Sequence, residues 1–113
     1  MERFRTSVEA NRDRCLDELK ALCAQPGIAA QGIGLEETAD LVEERLDGLR
    51  ATVQWIVLHD SPPILCGELG SGETTLLVHN HCDVQPADPL DEWDTPPFAP
   101  ILRDGRLFAR SGR

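Results

Sequence analysis

Apolar side chains recur at helical spacing in two segments at the start of the chain. The first segment ends at Pro26-Gly27, which stops a helix, and the second begins with Glu36 and Glu37, where the helix dipole favours negative charge. The apolar positions of the first are Val8, Cys15, Leu19, Leu22 and Cys23, and those of the second are Leu35, Ala39, Val42, Leu46 and Leu49. This spacing predicts two amphipathic helices joined by a glycine-containing link.

The apolar period changes after residue 51. Apolar and polar positions alternate over residues 52–57, which predicts a strand with one well-buried face, and residues 64–69 resemble a second strand. Residues 75–78 are the most continuously apolar, so we expect a central strand covered on both faces. Residues 101–108 predict a short hairpin that turns at Asp104-Gly105.

Two helices followed by strands predict an α/β layered domain. We expect its sheet to mix parallel and antiparallel strands. A proline-rich irregular stretch separates the third strand from the hairpin. With 113 residues, the chain accommodates one domain at most.

The composition excludes several classes of partner. The net charge of −9 repels nucleic acid phosphates and anionic membranes, so neither is expected as a partner. The first residues carry both signs of charge and lead into no apolar run, which argues against a signal peptide and favours a cytoplasmic protein. The four cysteines form no Cys-x-x-Cys pair, so reduced thiols are expected.

The candidate chemistry lies where the third predicted strand ends. Strand alternation places His79, His81 and Asp83 on one side, and the carboxyl end of a central strand opens onto the ligand crevice of an α/β sheet. Imidazole is a good zinc ligand, and a carboxylate two positions on can accept the hydrogen bond of the ring's other nitrogen. The spacing alone leaves open that these are ordinary half-buried polar groups. Cys82 is expected to be a packed thiol rather than a ligand or nucleophile.

A longer stretch carries a family resemblance. Residues 76–86 resemble the strand and the His-x-Asp-Val-x-Pro signature of metallopeptidase family 20, which includes carnosine-type dipeptidases, aminoacylase and the acetylornithine and succinyl-diaminopimelate deacylases. The match continues through residues 89–100 and 103–110. The sequence of residues 83–89 is most similar to that of the dipeptidase branch.

The resemblance implies roles for individual residues. His81 would be a zinc ligand, and Asp83 would be the catalytic-site carboxylate that orients it. The implied fold is the amino-terminal part of a zinc-peptidase-like three-layer catalytic domain. The implied cofactor is zinc, as two ions in the complete family, with cobalt or manganese as alternatives. The implied reaction is cleavage of a dipeptide or an N-acyl amino acid by metal-activated water. The loop beside the site would be packed by Trp93, Pro96, Pro97 and Phe98.

The resemblance changes character after Ala109-Arg110. The family continues with a glycine and an Asp-Asp-Lys-Gly motif, whereas this sequence reads Ser111-Gly112-Arg113. We therefore interpret residues 1–113 as an incomplete amino-terminal portion of the catalytic domain without the dimerisation domain, so that a homodimer would need that missing domain. One histidine cannot hold zinc at useful affinity, so the isolated chain is expected to be inactive. The alternatives are a non-catalytic acidic α/β interaction module that reuses this part of the fold, and an unrelated acidic α/β domain.

Overall fold

Three α-helices occupy the first 48 residues of the computed structural model, which describes residues 1–110. They are α1 (Glu2–Ala10), α2 (Arg12–Ala24) and α3 (Leu35–Gly48). The second predicted helix is confirmed as α3, but the first is interrupted at Asn11, whose φ of −108° and ψ of 8° are not helical. The Asn11 side-chain amide donates to the Ser7 carbonyl at 2.8 Å, and its main-chain amide donates to the same carbonyl at 3.1 Å.

The first two predicted strands are confirmed as an antiparallel pair. β1 (Thr52–Ile56) lies against β2 (Ile64–Glu68), with Trp55 opposite Leu65. The face of β1 that the alternation predicts to be well buried is only half-buried. α3 packs against both strands, and α2 packs against α3. The β1–β2 pair therefore forms one layer and the helices form a second, as the α/β prediction requires.

The predicted terminal hairpin is also confirmed. β3 (Ile101–Arg103) pairs antiparallel with β4 (Arg106–Phe108). The two turn residues, Asp104 and Gly105, have φ values of 51° and 74°, as a tight two-residue hairpin turn requires. Within residues 1–110 both sheets are purely antiparallel, so the prediction of a mixed sheet is wrong there.

The prediction of a central strand over residues 75–78 is wrong in this structure. The segment is irregular, and Leu76, Leu77 and Val78 expose 86%, 86% and 71% of their surface. An apolar run becomes a strand only where neighbouring strands accept its backbone hydrogen bonds. Both described hairpins pair only within themselves, so neither supplies those bonds.

The buried core is small for the length of the chain. Its apolar members among the described residues are Cys23, Ile28, Ala39, Ala87 and Ala109, and the buried polar residue is Thr38. The accessible surface is 9317 Å², against about 6,200 Å² for a folded monomer of this mass. The radius of gyration is 16.2 Å, against about 13 Å for a closed domain of this length. The layers are therefore open, and large apolar side chains stay exposed.

The helices of the described part are short. The longest, α3, has 14 residues, and none has the length and apolar character that a membrane span needs.

The packing of α2 against α3 predicts a difference among the thiols. Cys23 is 2% exposed, and burial raises the pKa of its thiol, whereas Cys15, Cys66 and Cys82 are exposed. A thiol reagent in native buffer should modify three cysteines quickly and Cys23 at least about tenfold more slowly, because the thiolate is the reactive form. The four rates should converge in concentrated urea. Four equal rates in native buffer would show that this packing is absent in solution.

Candidate metal centre

His81 and Asp83 lie in the irregular segment after residue 78 and contact each other. Nδ1 of the His81 ring is 3.1 Å from Oδ1 of Asp83 and 3.0 Å from its main-chain carbonyl oxygen. Both neighbours of Nδ1 are acceptors, so this nitrogen must carry the hydrogen and donate it. The lone pair of the ring is then on Nε2, where it is available to a metal ion.

The surroundings of the two residues differ. The His81 side chain is 81% exposed, whereas the Asp83 side chain is 38% exposed. The ring therefore projects outward, and its contact with Asp83 is what directs it. A histidine whose Nδ1–H is held by a carboxylate is the usual arrangement of a zinc-ligating histidine.

Directly after Asp83, the backbone is hydrogen-bonded to the link between α2 and α3. The Val84 amide donates to the Gly27 carbonyl at 2.7 Å. Gly27 is buried, and a Cβ atom built on it would lie 2.7 Å from Oγ1 of Thr38 and 3.4 Å from the Cys82 carbonyl oxygen. The backbone of residues 82–84 thus packs directly on a glycine.

Two further side chains hold the proline-rich loop. Nε of Arg110 donates to the Gln85 carbonyl at 2.9 Å, and its main-chain amide donates to Pro97 at 2.7 Å. The Trp93 indole nitrogen donates to the Ala87 carbonyl at 2.7 Å. These bonds fasten the loop to itself and to the end of β4, so Trp93 packs the loop as the sequence predicts.

The structure brings together only part of the predicted constellation. His81 and Asp83 are in contact, but no described bond joins His79 or Cys82 to them. Cys82 is exposed, so the expectation that its thiol is packed is wrong. Within residues 1–110, no three His, Cys, Asp or Glu side chains are grouped so that they could hold a metal ion. The predicted departure from the family pattern, at residues 111–113, lies outside the described residues.

The donor set fits one ligand position of a zinc site. Nε2 of His81 is a suitable zinc donor, and its orienting carboxylate is in place. Catalytic zinc sites need about three protein ligands, and no three candidate ligand side chains are grouped among residues 1–110. The ligand role of His81 and the orienting role of Asp83 stay predictions.

Sequence reasoning did not find the residues that support the pair. In the sequence, Gly27 indicates only a helix stop, and Arg110 only continues the family resemblance. Both act through contacts with residues far along the chain, at Val84 and Gln85. A glycine directly after Pro26 was the available signal for Gly27, because a close approach of two backbones favours glycine.

Known proteins resemble this chain over most of its length. No family model matches it. A succinyl-diaminopimelate desuccinylase of Aromatoleum aromaticum is 33% identical over 106 residues, which are 94% of this chain and 21% of the relative. The enzyme of the same name from Methylococcus capsulatus is 37% identical over 71 residues, 63% of this chain and 19% of the relative.

Two solved structures share the fold. An M20 family metallo-carboxypeptidase, Sso-CP2 of Sulfolobus solfataricus, superposes with a TM-score of 0.71 at 32% identity, covering 84% of this chain and 22% of that one. The di-peptidase Dug1p of Saccharomyces cerevisiae superposes with a TM-score of 0.73 at 22% identity, covering 87% of this chain and 24% of that one. The chain thus spans about a fifth to a quarter of the length of these proteins.

Proposed function

Because the chain belongs to the M20 family of metallo-hydrolases, we propose that it supplies part of the metal site of an amide hydrolase. The observation that supports this proposal is the contact of His81 Nδ1 with Asp83, which leaves Nε2 free to bind a metal ion. The other ligands would come from outside residues 1–110, because no three candidate ligand side chains are grouped within them.

The metal proposed is zinc, with cobalt or manganese as alternatives that accept the same imidazole donor. Bound zinc would polarise the scissile carbonyl and lower the pKa of a water molecule. Within this chain, His81 would hold one position of the ion, and Asp83 would keep its ring in the required tautomer. Asp83 would therefore act through His81 rather than on the substrate.

The proposed substrates are dipeptides or N-acyl amino acids. The names of the relatives include both kinds of reaction, since desuccinylases remove an acyl group and Dug1p is a di-peptidase. The sequence of residues 83–89, which resembles that of the dipeptidase branch, favours a dipeptide as the substrate. We expect residues 1–113 on their own to be inactive, because their described part groups no three candidate metal ligands.

A chimera tests this proposal. This chain would replace the matching segment of the A. aromaticum desuccinylase, with which it shares 33% identity. The chimera should hydrolyse N-succinyl-diaminopimelate or an unmodified dipeptide, lose that activity to a chelator and regain it with zinc. A chimera that folds and binds zinc but hydrolyses neither would contradict the proposal, and the preferred substrate would distinguish the two classes.

Asp83→Asn in the chimera tests the orienting carboxylate. The amide oxygen can still accept from Nδ1 of His81, but without the charge that raises the basicity of the ring. Zinc affinity should fall about 10- to 100-fold, with the protein still folded. Affinity would be measured by competition with a chromogenic chelator. The control is Asp91→Asn, at an exposed carboxylate of the short helical turn Leu90–Glu92, which should leave affinity unchanged.

A further inference from the structure

The direction of the His81 ring depends on a chain of contacts that begins at Gly27. The ring is 81% exposed, so the protein restrains it through Asp83. Asp83 lies between Cys82 and Val84. The Val84 amide donates to the Gly27 carbonyl at 2.7 Å, and the Cys82 carbonyl oxygen would lie 3.4 Å from a Cβ atom built on the same glycine.

The space around Gly27 leaves no room for a side chain. A Cβ atom there would lie 2.7 Å from Oγ1 of Thr38. That oxygen cannot easily withdraw, because Thr38 is 3% exposed and its hydroxyl donates to the Gly34 carbonyl at 2.6 Å. The Cys82 carbonyl, at 3.4 Å, belongs to the irregular segment and is the neighbour that can move.

We propose that Gly27 is a positioning residue for the metal ligand: by letting residues 82–84 pack on its backbone, it sets Asp83 and thereby the tautomer and direction of His81. The proposal rests on the proposed function, since His81 matters only as a ligand. It concerns the α2–α3 link, which contributes no donor atom to the site. Thr38 takes part in the same positioning, because its hydrogen-bonded hydroxyl fills the space on the other side of Gly27.

The test reads the tautomer of His81 in the metal-free chain by nitrogen NMR, at alkaline pH where imidazoles are neutral. The wild-type chain should hold His81 as the Nδ1–H tautomer. In Gly27→Ala the ratio should move at least about twofold toward that of a peptide of residues 78–86, because the bond to Asp83 is loosened. Gly48→Ala is the matched control, since a Cβ atom there meets nothing within 4 Å.

A compensating variant separates positioning from general damage. Gly27→Ala/Thr38→Ala removes the obstructing hydroxyl, so the tautomer ratio should return toward the wild-type value although a buried bond is lost. A wild-type ratio in a Gly27→Ala chain with native helical circular dichroism would overturn the proposal. Failure of the double variant to restore the ratio would also overturn it. If Gly27→Ala loses its helical signal, the double variant alone decides by the same criterion.

Failure of this inference can be told from failure of the proposed function. Zinc could bind at His81 in the chimera while the tautomer ratio of His81 stays the same in Gly27→Ala and in Gly27→Ala/Thr38→Ala. The positioning role of Gly27 would then be wrong, and the proposed function would stand. If the tautomer responds as expected but zinc does not bind at His81, the function is wrong and the positioning of the ring stands.

Discussion

Replacing His81 with alanine in the chimera is expected to reduce hydrolysis at least about a thousandfold, because the loss of one of about three protein ligands destroys a catalytic zinc site. The Nδ1 side of the His81 ring contacts the Asp83 carboxylate at 3.1 Å, and the ring is 81% exposed, so Nε2 is accessible to a metal ion. Folding should be unaffected, since the side chain is 81% exposed. Hydrolysis and bound zinc would be measured on the same samples.

His79→Ala is the control for that substitution. His79 is exposed, lies two residues away and makes no described bond to Asp83, so its loss should leave zinc content and hydrolysis within about twofold of the parent chimera. Full activity in His81→Ala, or a comparable loss in His79→Ala, would contradict the assignment of the ligand.

Gly34→Ala is expected to be the most destabilising single substitution in the described helical layer. Gly34 precedes α3 with a φ of 65°, and a Cβ atom on it would overlap the Pro26 carbonyl oxygen and lie 3.1 Å from Nε2 of Gln25. Both obstacles belong to the link that carries Gly27. The free energy of unfolding should fall by more than about 3 kcal/mol, since a left-handed conformation and a backbone clash are combined.

Gly32→Ala supplies a matched comparison. Gly32 has nearly the same backbone conformation, with a φ of 64°, but a Cβ atom there meets nothing within 4 Å. It should cost only about 1 kcal/mol, the conformational part alone. Urea unfolding followed by helical circular dichroism would measure both variants. Equal losses would show that the close approach of Gly34 to Pro26 does not exist in solution.

The elements that the sequence predicts correctly are those whose hydrogen bonds are local. α3 closes its bonds within four residues, and the Asp104-Gly105 turn places β3 beside β4. The apolar period continues across Asn11 and therefore does not predict the break there, where both the main-chain and the side-chain amide of Asn11 donate to the Ser7 carbonyl. Periodicity reports which face is apolar, and it does not report such a competing bond.

The segment at residues 75–78 fails for the opposite reason. Its apolar character was recognised, but a strand depends on partners that its own residues do not encode. Leu76 and Leu77 remain 86% exposed because no described strand pairs with them. The sequence therefore identified a segment suited to a sheet interior, and the pairing that would make it a strand is non-local.

The candidate site also has a local part that the sequence predicts and a non-local part that it does not predict. The His81–Asp83 contact spans two residues and could be expected from spacing and ligand chemistry. The support from Gly27 crosses 57 residues to Val84. The glycine after Pro26 is visible in the sequence, but no pattern along the chain indicates its partner. The spacing thus predicts the pair, whereas only the folded chain reveals what holds it.

A zinc titration of this chain, followed by NMR of its three histidine rings, measures whether His81 is the metal ligand. Nε2 of His81 should respond first, with weak affinity because no three candidate ligands are grouped in residues 1–110, and His59 and His79 should respond little. The response should vanish in His81→Ala. A first response at another histidine, or tight stoichiometric binding that survives the loss of His81, would contradict the ligand role of His81.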